Sequence, residues 1–250
     1  MNKDKQYYEQ EATEEEFIKW YKQQDLPNYK KPSVTTDMVA FAYIENKIKL
    51  LMIKRKANPF RNKFALPGGF LNEDENSYQG CQREVEEETN IKIPIDYIEQ
   101  LATYTQPGRD PRDWIVTIAH IVYLPKDLIY NMKAGDDSLE TFFVDVDFHS
   151  NTLSYKGTTL TSEDFAFDHE KIILEAMERL HGRLDWNPSF LKLLGNEITA
   201  QEGTNIINLI SPNKPIATTN FIRLYGKYLI DTGDVVVQDK KKSRKIYKFK

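Results

Sequence analysis

Residues 68–91 read GGFLNEDENSYQGCQREVEEETNI, and this stretch decides the fold of the chain around it. From Asn76 onward its apolar residues follow a helical period. The stripe consists of Tyr78, Cys81, Val85 and Thr89. On a helix that advances about 100° per residue, these side chains fall within roughly 80° of arc. We therefore predict a helix from about Asn76 to Thr89 that buries this stripe. Asn90 is predicted to end it, because Asn tolerates the left-handed conformation of a C-terminal cap.

The same predicted helix carries a cluster of carboxylates. Glu84, Glu87 and Glu88 stand at i, i+3 and i+4 and therefore lie on one side of it. Like charges at this spacing destabilise an isolated helix by roughly 0.2–0.5 kcal/mol per pair. Carboxylates on adjacent turns instead offer hard oxygen ligands to a divalent cation. The alternative is a solvated acidic face. Gly68 and Gly69 favour the metal site, because glycine is needed where the backbone approaches a ligand closely.

The sequence also predicts strands on both sides of this helix. Two strand-like runs at 38–44 and 48–55 are separated by three residues, Glu-Asn-Lys, which is a hairpin signal. The other predicted elements are strands at 98–104, 114–123 and 142–146 and helices at about 13–24 and 168–184. Strands with an interleaved helix and with hairpins elsewhere favour an α/β fold with a mixed sheet layered by helices.

The spacing of the opening stretch resembles the Nudix box, G-x5-E-x7-R-E-U-x-E-E-x-G-U, in which U is aliphatic. The matching positions are Gly69, Glu75, Arg83, Glu84, Val85, Glu87, Glu88 and Ile91. Asn90 stands where the box has glycine. This is a mild departure, because the position requires a helix-ending turn and no charged group is lost.

The resemblance implies an α/β/α sandwich in which the box helix presents metal ligands. These are Glu84, Glu87 and Glu88, and the metal is Mg²⁺ or Mn²⁺. The implied reaction is attack of water on the diphosphate of a nucleoside diphosphate linked to another group. A metal that bridges the phosphates neutralises charge on the leaving phosphate, which agrees with this chemistry.

The resemblance also implies roles for the other box residues. Arg83 orients the carboxylates, and Glu75 is a capping or supporting residue. The general base stays open, because family members take it from the box or from a later loop. Glu87 is the first choice, and Glu140, in the acidic segment 135–140, is the alternative.

A loop at 107–113, rich in Pro, Gly and Arg, carries Arg109 and Arg112 between two predicted strands. The fork of an arginine side chain suits phosphate, so we expect contact with a diphosphate or a ribose phosphate. Gly68 and Gly69 belong to the same predicted binding site. The alternative is a turn closed by an Arg–Asp pair.

Three segments together resemble one Nudix subgroup. They are the R-D-P-R loop, an A-G-D-D segment and residues 165–172, which read FAFDHEKI and lead into a helix. In that subgroup an ADP-ribose-type pocket is joined to a C-terminal winged helix, as in the Nudix-related transcriptional regulators of NAD metabolism. His169 is predicted to be a structural residue that caps the next helix, with a role as a ligand as the alternative.

The composition and the predicted elements of the C-terminal residues support this resemblance independently. Residues 186–250 hold 11 Lys and Arg against five Asp and Glu, whereas residues 1–185 hold 23 against 33. Thr199 and Glu202 form a capping box that opens a helix to about Leu209. The remaining predicted elements are a helix at 219–229 with Arg223 and Lys227, and strands at 235–237 and 246–249 around a basic tip at 240–245.

Two helices followed by a basic hairpin predict a winged helix-turn-helix domain. Its contacts with phosphates would make DNA binding dependent on salt. The alternatives are a solvated basic tail or a dimerisation domain. The predicted domains are therefore an N-terminal helical extension at 1–33, a hydrolase domain at 34–184 with a linker helix at about 168–184, and a winged-helix domain at 185–250.

Two functions follow from these predictions. The first is a metal-dependent hydrolase of ADP-ribose or a related nucleoside diphosphate derivative. The second is a regulator that senses such a ligand and binds DNA as a homodimer. Regulators of this kind often have a degenerate box, so the intact Arg83, Glu84, Glu87 and Glu88 favour hydrolysis. The chain has no apolar run of membrane-spanning length and no secretory signal, and its one cysteine fits a reducing compartment. We expect a cytoplasmic protein that does not enter a membrane.

Overall fold

The computed structural model describes residues 5–25, 29–132, 141–238 and 242–250. The chain forms two compact units, Met1–Lys31 and Pro32–Lys250. The helices are α1 (Lys5–Gln10), α2 (Glu14–Tyr21), α3 (Ser77–Thr89), α4 (Lys126–Met132), α5 (His169–Gly182), α6 (Ala200–Ile210) and α7 (Thr218–Tyr225). The strands are β1 (Ser33–Ile44), β2 (Lys47–Lys54), β3 (Phe64–Ala65), β4 (Gly68–Phe70), β5 (Ile98–Tyr104), β6 (Ile115–Leu124), β7 (Thr141–Asp147), β8 (Thr152–Tyr155), β9 (Thr158–Thr159), β10 (Ile198–Thr199), β11 (Leu229–Gln238) and β12 (Lys242–Phe249).

The N-terminal unit consists of α1 and α2. Thr13 caps α2 and forms a reciprocal capping box with Glu16, so the predicted start of this helix is confirmed. The rings of Tyr8 and Trp20 stack with their centroids 4.7 Å apart, which holds the two short helices together.

Strand β1 lies near the middle of the large sheet. It runs parallel to β6 and antiparallel to β2 and β4, so the predicted mixed sheet is confirmed. The strand order is β5-β6-β1-β2-β7-β8-β9, with β3 on β2 and β4 on β1. Glu45 and Asn46 turn the predicted hairpin between β1 and β2 with positive φ angles of 54° and 59°.

Both faces of the sheet are covered where β1 runs. Residues 35–42 are buried at every position, including those whose side chains point to opposite faces. Helix α3 and helix α5 both pack against β1. Two faces buried beneath helices give the layered α/β/α arrangement that the resemblance implied.

Helix α3 forms as the sequence predicted. Asn76 caps its first turn and forms a capping box with Gln79. Asn90 ends it in the left-handed conformation, with φ 55°. Cys81, Val85 and Thr89 of the predicted stripe are buried, whereas Tyr78 is only partly buried. The packed stripe fixes which side of the helix the carboxylates occupy.

The C-terminal residues form α6, α7 and a three-stranded sheet in the order β10-β12-β11. The predicted second helix at 219–229 is too long. Helix α7 ends at Tyr225, and Lys227 lies in a short 3₁₀ turn. The chain must turn there because Leu229 already pairs with Phe249 in the sheet.

The predicted basic tip at 240–245 is also wrong in part. Residues 242–245 belong to β12 and continue the ladder with β11, while residues 240 and 241 lie outside the described residues. A strand with one face exposed to solvent tolerates charged residues. The basic composition of this segment therefore did not distinguish a strand from a hairpin tip.

The C-terminal residues pack on the rest of the second unit. Lys126, at the start of α4, forms an ion pair with Glu202, which also completes the capping box of Thr199. The hydroxyl of Tyr97 donates to the side-chain oxygen of Asn196 at 3.2 Å. The predicted domain boundaries, including the one at 184/185, stay predictions. None of the helices in the described ranges combines the length and the apolar character that crossing a bilayer requires.

The conformation of Asn90 generates a stability prediction. We expect Asn90→Val to lower the free energy of unfolding by about 1–3 kcal/mol, because a β-branched residue is strained at positive φ. Asn90→Gly is expected to change it by less than about 1 kcal/mol. Urea unfolding followed by circular dichroism measures both, and an equal loss in the two variants would contradict the left-handed cap.

Candidate functional site

Two glycines in β4 bring the backbone close to the acidic face of α3. Gly69 pairs with Thr36 of β1, and a Cβ added at Gly69 would lie 2.1 Å from Oε1 of Glu84. A Cβ at Gly68 would lie 2.1 Å from the carbonyl oxygen of Thr36. Only glycine therefore lets the carboxylate of Glu84 lie against β4.

Arg83 is the centre of the site. Its Nε and Nη2 donate to the two carboxylate oxygens of Glu75 at 3.1 and 2.8 Å. Its Nη1 donates to Glu84 at 2.7 Å and to Glu87 at 3.2 Å, and Nη2 also donates to the carbonyl oxygen of Phe70 at 3.1 Å. An arginine has five N–H groups, so all of them are used here. The role of Arg83 as an orienting residue, which the resemblance implied, stays a prediction.

The carboxyl groups of the site differ in their electrostatic environment. The hydrogen bonds from Arg83 hold the pKa of Glu75 below its usual range. Burial raises the pKa of Glu84, although Arg83 partly opposes this shift. Burial also raises the pKa of Glu88, and the negative charges of Glu84 and Glu87 raise it further. Negative charge on this face of α3 is therefore only partly neutralised by the chain itself.

The donor chemistry of this face fits a divalent cation. Glu84, Glu87 and Glu88 supply hard oxygen ligands, and their mutual repulsion is what a bound cation would relieve. Within the described ranges, no three His, Cys, Asp or Glu side chains converge on one point suitable for a metal ion. Arg83 holds Glu84 and Glu87 instead. Glu140, the alternative general base, lies outside the described residues.

The four predicted nucleotide-binding residues lie around one cavity of about 200 Å³. They are Gly68, Gly69, Arg109 and Arg112. Such a cavity is smaller than the roughly 300–1,000 Å³ that encloses a drug-sized ligand, so it fits one part of an extended molecule. A larger cavity of about 910 Å³ lies along the outer face of α5 and is lined by none of the box residues. Position beside the box glycines, not volume, identifies the smaller cavity as the candidate site.

The two predicted phosphate-binding arginines are both engaged with carboxylates. The side chain of Arg109 is buried and donates to both oxygens of Asp168 at 3.0 and 2.7 Å, and its Nη2 lies 3.5 Å from Asp37. Arg112 donates to both oxygens of Asp110, which lies two residues earlier in the same loop. The Arg–Asp pair considered as the alternative is therefore present. Contact of either arginine with phosphate stays a prediction.

His169 is buried at the first residue of α5. Its Nδ1 accepts a hydrogen bond from the backbone N–H of Leu66 at 2.8 Å, and its Nε2 lies 3.8 Å from Asp37. Burial lowers the pKa of His169, so the neutral ring is favoured. These contacts join α5 to the segment before β4, so His169 has a structural role. The prediction that it caps the helix is wrong, because Asp168 is the N-cap residue and the ring of His169 accepts from Leu66 instead.

Asp37, Arg55 and Phe167 are among the cavity-lining residues that sequence reasoning missed. Phe167 belongs to the segment at 165–172, where it had no predicted role. Arg55 closes a predicted strand and Asp37 precedes an apolar run, so each could have been noticed as a charge at the end of a buried strand. Nothing local indicates that they meet, because they come from different strands and a loop.

Comparison with known proteins gives consistent similarities. A model of the NUDIX domain matches residues 35–149. The ADP-ribose pyrophosphatase of Methanocaldococcus jannaschii is 38% identical over 165 residues, which are 64% of this chain and 84% of that protein. A MutT/nudix family protein from Enterococcus faecalis has a crystal structure with TM-score 0.82 and 34% identity, covering 98% of this chain and 97% of its own. Shewanella oneidensis NrtR complexed with a 27mer DNA has TM-score 0.72 and 27% identity, covering 87% of this chain and 93% of its own.

The environment of Glu88 generates a prediction about stability and metal. Without metal, Glu88→Gln is expected to raise the melting temperature by about 1–4 °C, because it removes a partly buried charge repelled by two neighbours. With saturating Mn²⁺ the wild type is expected to have the higher melting temperature of the two, because a ligand that binds only the folded state stabilises that state. Thermal unfolding with and without Mn²⁺ measures both effects. The control is Glu86→Gln, an exposed neighbour on the same helix. A variant that Mn²⁺ stabilises as much as the wild type would remove Glu88 from the ligand set.

Proposed function

This chain belongs to the Nudix family, and on that premise we propose that it hydrolyses the diphosphate of ADP-ribose with Mg²⁺ or Mn²⁺. Water adds to one phosphorus and the bridging P–O bond breaks, so the products are AMP and ribose 5-phosphate. The substrate proposal is supported by the 38% identity with a protein that carries the name ADP-ribose pyrophosphatase. It is also supported by the complete set of charged residues in the box.

The single observation that carries the hydrolase proposal is the network around Arg83. One guanidinium holds Glu75, Glu84 and Glu87 together beside Gly69, so the acidic face is organised and not merely solvated. A solvated acidic face would need neither the buried carboxylate of Glu84 nor the close approach at Gly69. The arrangement supports a site built to receive a cation together with phosphates.

Each box residue has a role in this proposal. Glu84, Glu87 and Glu88 would hold the divalent ion, which neutralises charge that develops on the phosphates. Arg83 fixes the rotamers of Glu84 and Glu87 through its hydrogen bonds. Glu75 anchors Arg83 from the loop before α3.

The general base of the proposed reaction is Glu87, with Glu140 as the alternative. The side chain of Glu87 is more than half exposed, whereas that of Glu84 is buried, so Glu87 can reach a water molecule. Its one ionic partner among the described residues is Arg83, which leaves acceptor capacity on the carboxylate. Arg112 at the cavity mouth is the proposed contact for substrate phosphate, because its side chain is less buried than that of Arg109.

Replacement of Glu87 tests the proposed reaction. We expect Glu87→Gln to lower kcat for ADP-ribose by about 10²- to 10⁴-fold, the usual effect of removing a general base. The assay measures AMP release in the presence of Mg²⁺. Glu86→Gln is the matched control and is expected to keep the wild-type rate.

Two results would count against this assignment. A wild-type protein that releases no AMP from ADP-ribose with either Mg²⁺ or Mn²⁺ would refute the proposed substrate. Normal turnover by Glu87→Gln together with loss of turnover by Glu140→Gln would move the general base to the later loop. If ADP-ribose is not hydrolysed, a screen of nucleoside diphosphate sugars, dinucleoside polyphosphates and oxidised nucleotides would identify the substrate.

A second function is favoured by the C-terminal architecture. Helices α6 and α7 precede the hairpin of β11 and β12, and the similarity to a DNA-bound regulator extends over 87% of the chain. We propose that residues 185–250 bind DNA and that the protein binds it as a homodimer. In this proposal the nucleotide site senses an ADP-ribose-type ligand. The cytoplasmic location predicted from the sequence is compatible with both functions, which are not exclusive.

Salt dependence tests the proposed DNA binding. The probe is the region upstream of its own gene, compared with a scrambled fragment of equal length. Neutralising Lys240, Lys241 and Lys242 is expected to weaken binding and to reduce the salt slope by roughly 0.9 for each phosphate that these lysines neutralise. Neutralising Lys5, Lys19 and Lys22 controls for net charge. If the wild type does not distinguish the two fragments at moderate salt, the regulator proposal is wrong.

A further inference from the structure

Not every charged side chain around the cavity beside Gly68 is hydrogen-bonded to a group of opposite charge. Arg109 is paired with Asp168 and Arg112 with Asp110, each through two hydrogen bonds. Setting these two pairs aside leaves one cation and one anion among the cavity-lining residues, Arg55 and Asp37. Arg55 directly follows β2 and Asp37 belongs to β1, and both lie on the walls of the same cavity.

Arg55 is a cation with unused donors. Its Nε donates to the carbonyl oxygen of Pro59 at 2.7 Å, and no other described residue accepts a hydrogen bond from its guanidinium. Four of its five N–H groups are therefore available. Burial lowers the pKa of Arg55, the positive charge of Arg112 lowers it further, and the negative charge of Asp110 opposes the shift less strongly. The positive potential from Arg112 therefore outweighs the negative potential from Asp110 at this guanidinium. An anion bound here would relieve that potential.

The position of Arg55 is fixed by an aromatic ring. Its guanidinium carbon lies 4.9 Å from the ring centroid of Phe167, and that of Arg112 lies 5.6 Å from the same centroid. Phe167 has φ 53°, a conformation that costs a bulky residue roughly 1–3 kcal/mol and that persists mainly at functional sites. The ring thus gathers two like charges at one cavity wall, which is the arrangement of an anion site.

Asp37 is an anion with unused acceptors. It is 8% exposed, and its carboxylate lies 3.5 Å from Arg109 and 3.8 Å from His169, too far or too poorly aligned for hydrogen bonds. Because His169 accepts from Leu66 through Nδ1, it can offer only its Nε2 proton toward Asp37. None of the described residues donates a hydrogen bond to this carboxylate. A carboxylate of this kind repels phosphate but accepts hydrogen bonds from hydroxyl groups, as in the ribose sites of dinucleotide-binding folds.

We infer that this cavity binds a ribose phosphate, with the phosphate on Arg55 and the vicinal hydroxyls at C2 and C3 on Asp37. The inference rests on the proposed function and deepens it, because ADP-ribose contains two ribose phosphates. The unused N–H donors of Arg55 select the phosphate, and the unused acceptors of Asp37 select the hydroxyls. A cavity of about 200 Å³ holds one such half of the substrate, while the box residues face the remainder.

Binding of ribose 5-phosphate to the full chain, measured by calorimetry without metal, tests this site. Arg55→Gln is expected to weaken binding about 10- to 100-fold, the effect of losing hydrogen bonds to a charged group. Asp37→Asn is expected to weaken it about tenfold while leaving inorganic phosphate binding no weaker. Arg61→Gln, which replaces an exposed arginine outside the cavity lining, is expected to bind as the wild type does.

A second ligand tests the Asp37 contact without altering the protein. The wild type should bind 2-deoxyribose 5-phosphate less tightly than ribose 5-phosphate, and Asp37→Asn should no longer distinguish the two. Unchanged binding of ribose 5-phosphate by Arg55→Gln overturns the inference. So does an equal loss of ribose 5-phosphate and inorganic phosphate in Asp37→Asn.

Two further measurements separate this inference from the proposed function. Weaker binding of AMP by both Arg55→Gln and Asp37→Asn supports the ribose phosphate site and assigns it to the nucleoside half of the substrate. A wild type that does not hydrolyse ADP-ribose, yet binds ribose 5-phosphate through Arg55 and Asp37, refutes the substrate and keeps the site. Hydrolysis of ADP-ribose with unchanged KM in both variants overturns the site alone.

Discussion

The guanidinium of Arg83 uses all five of its N–H groups, and the acidic face of α3 depends on that saturation. Two groups hold Glu75 in the loop before the helix, two hold Glu84 and Glu87 on the helix, and one holds the carbonyl oxygen of Phe70 at the end of β4. A planar fork can satisfy such a set, whereas an ammonium group has three donors and no fixed plane. The loop, the strand and the helix are therefore joined at a single side chain.

The same region keeps charges that the chain does not neutralise. Burial and repulsion raise the pKa of Glu88, and burial together with a neighbouring cation lowers that of Arg55. Both effects disfavour the charged form and reduce the stability of the empty protein. Phe167 adds backbone strain beside Arg55. Unfavourable contributions to the folding free energy that are concentrated around one cleft are typical of a binding site.

Most of the fold could be predicted from local sequence patterns. The predicted strand at 98–104 coincides with β5, and the capping boxes of Thr13 and Thr199 mark the starts of α2 and α6. Short elements without a clear period were missed, among them α1, α4, β8 and β9. The end of α7 and the start of β12 were misjudged for another reason. These bounds depend on the pairing of β11 with β12, in which Leu229 meets Phe249 from 20 residues away in the chain.

The sequence by itself determined the acidic helix, its caps and the residues that could bind metal, because these depend on contacts within one or two turns. Only the tertiary structure decided how the charges of the cavity pair. Arg109 meets Asp168 across 59 residues, and the ring of His169 meets Leu66 across 103. Local spacing carries no information on such contacts, since they form where separate strands and loops converge. Among the described residues, the same convergence leaves Arg55 with one hydrogen-bond acceptor for its guanidinium, and Asp37 with an ion pair to Arg109 but no hydrogen bond to its carboxylate. No motif in the sequence records this arrangement.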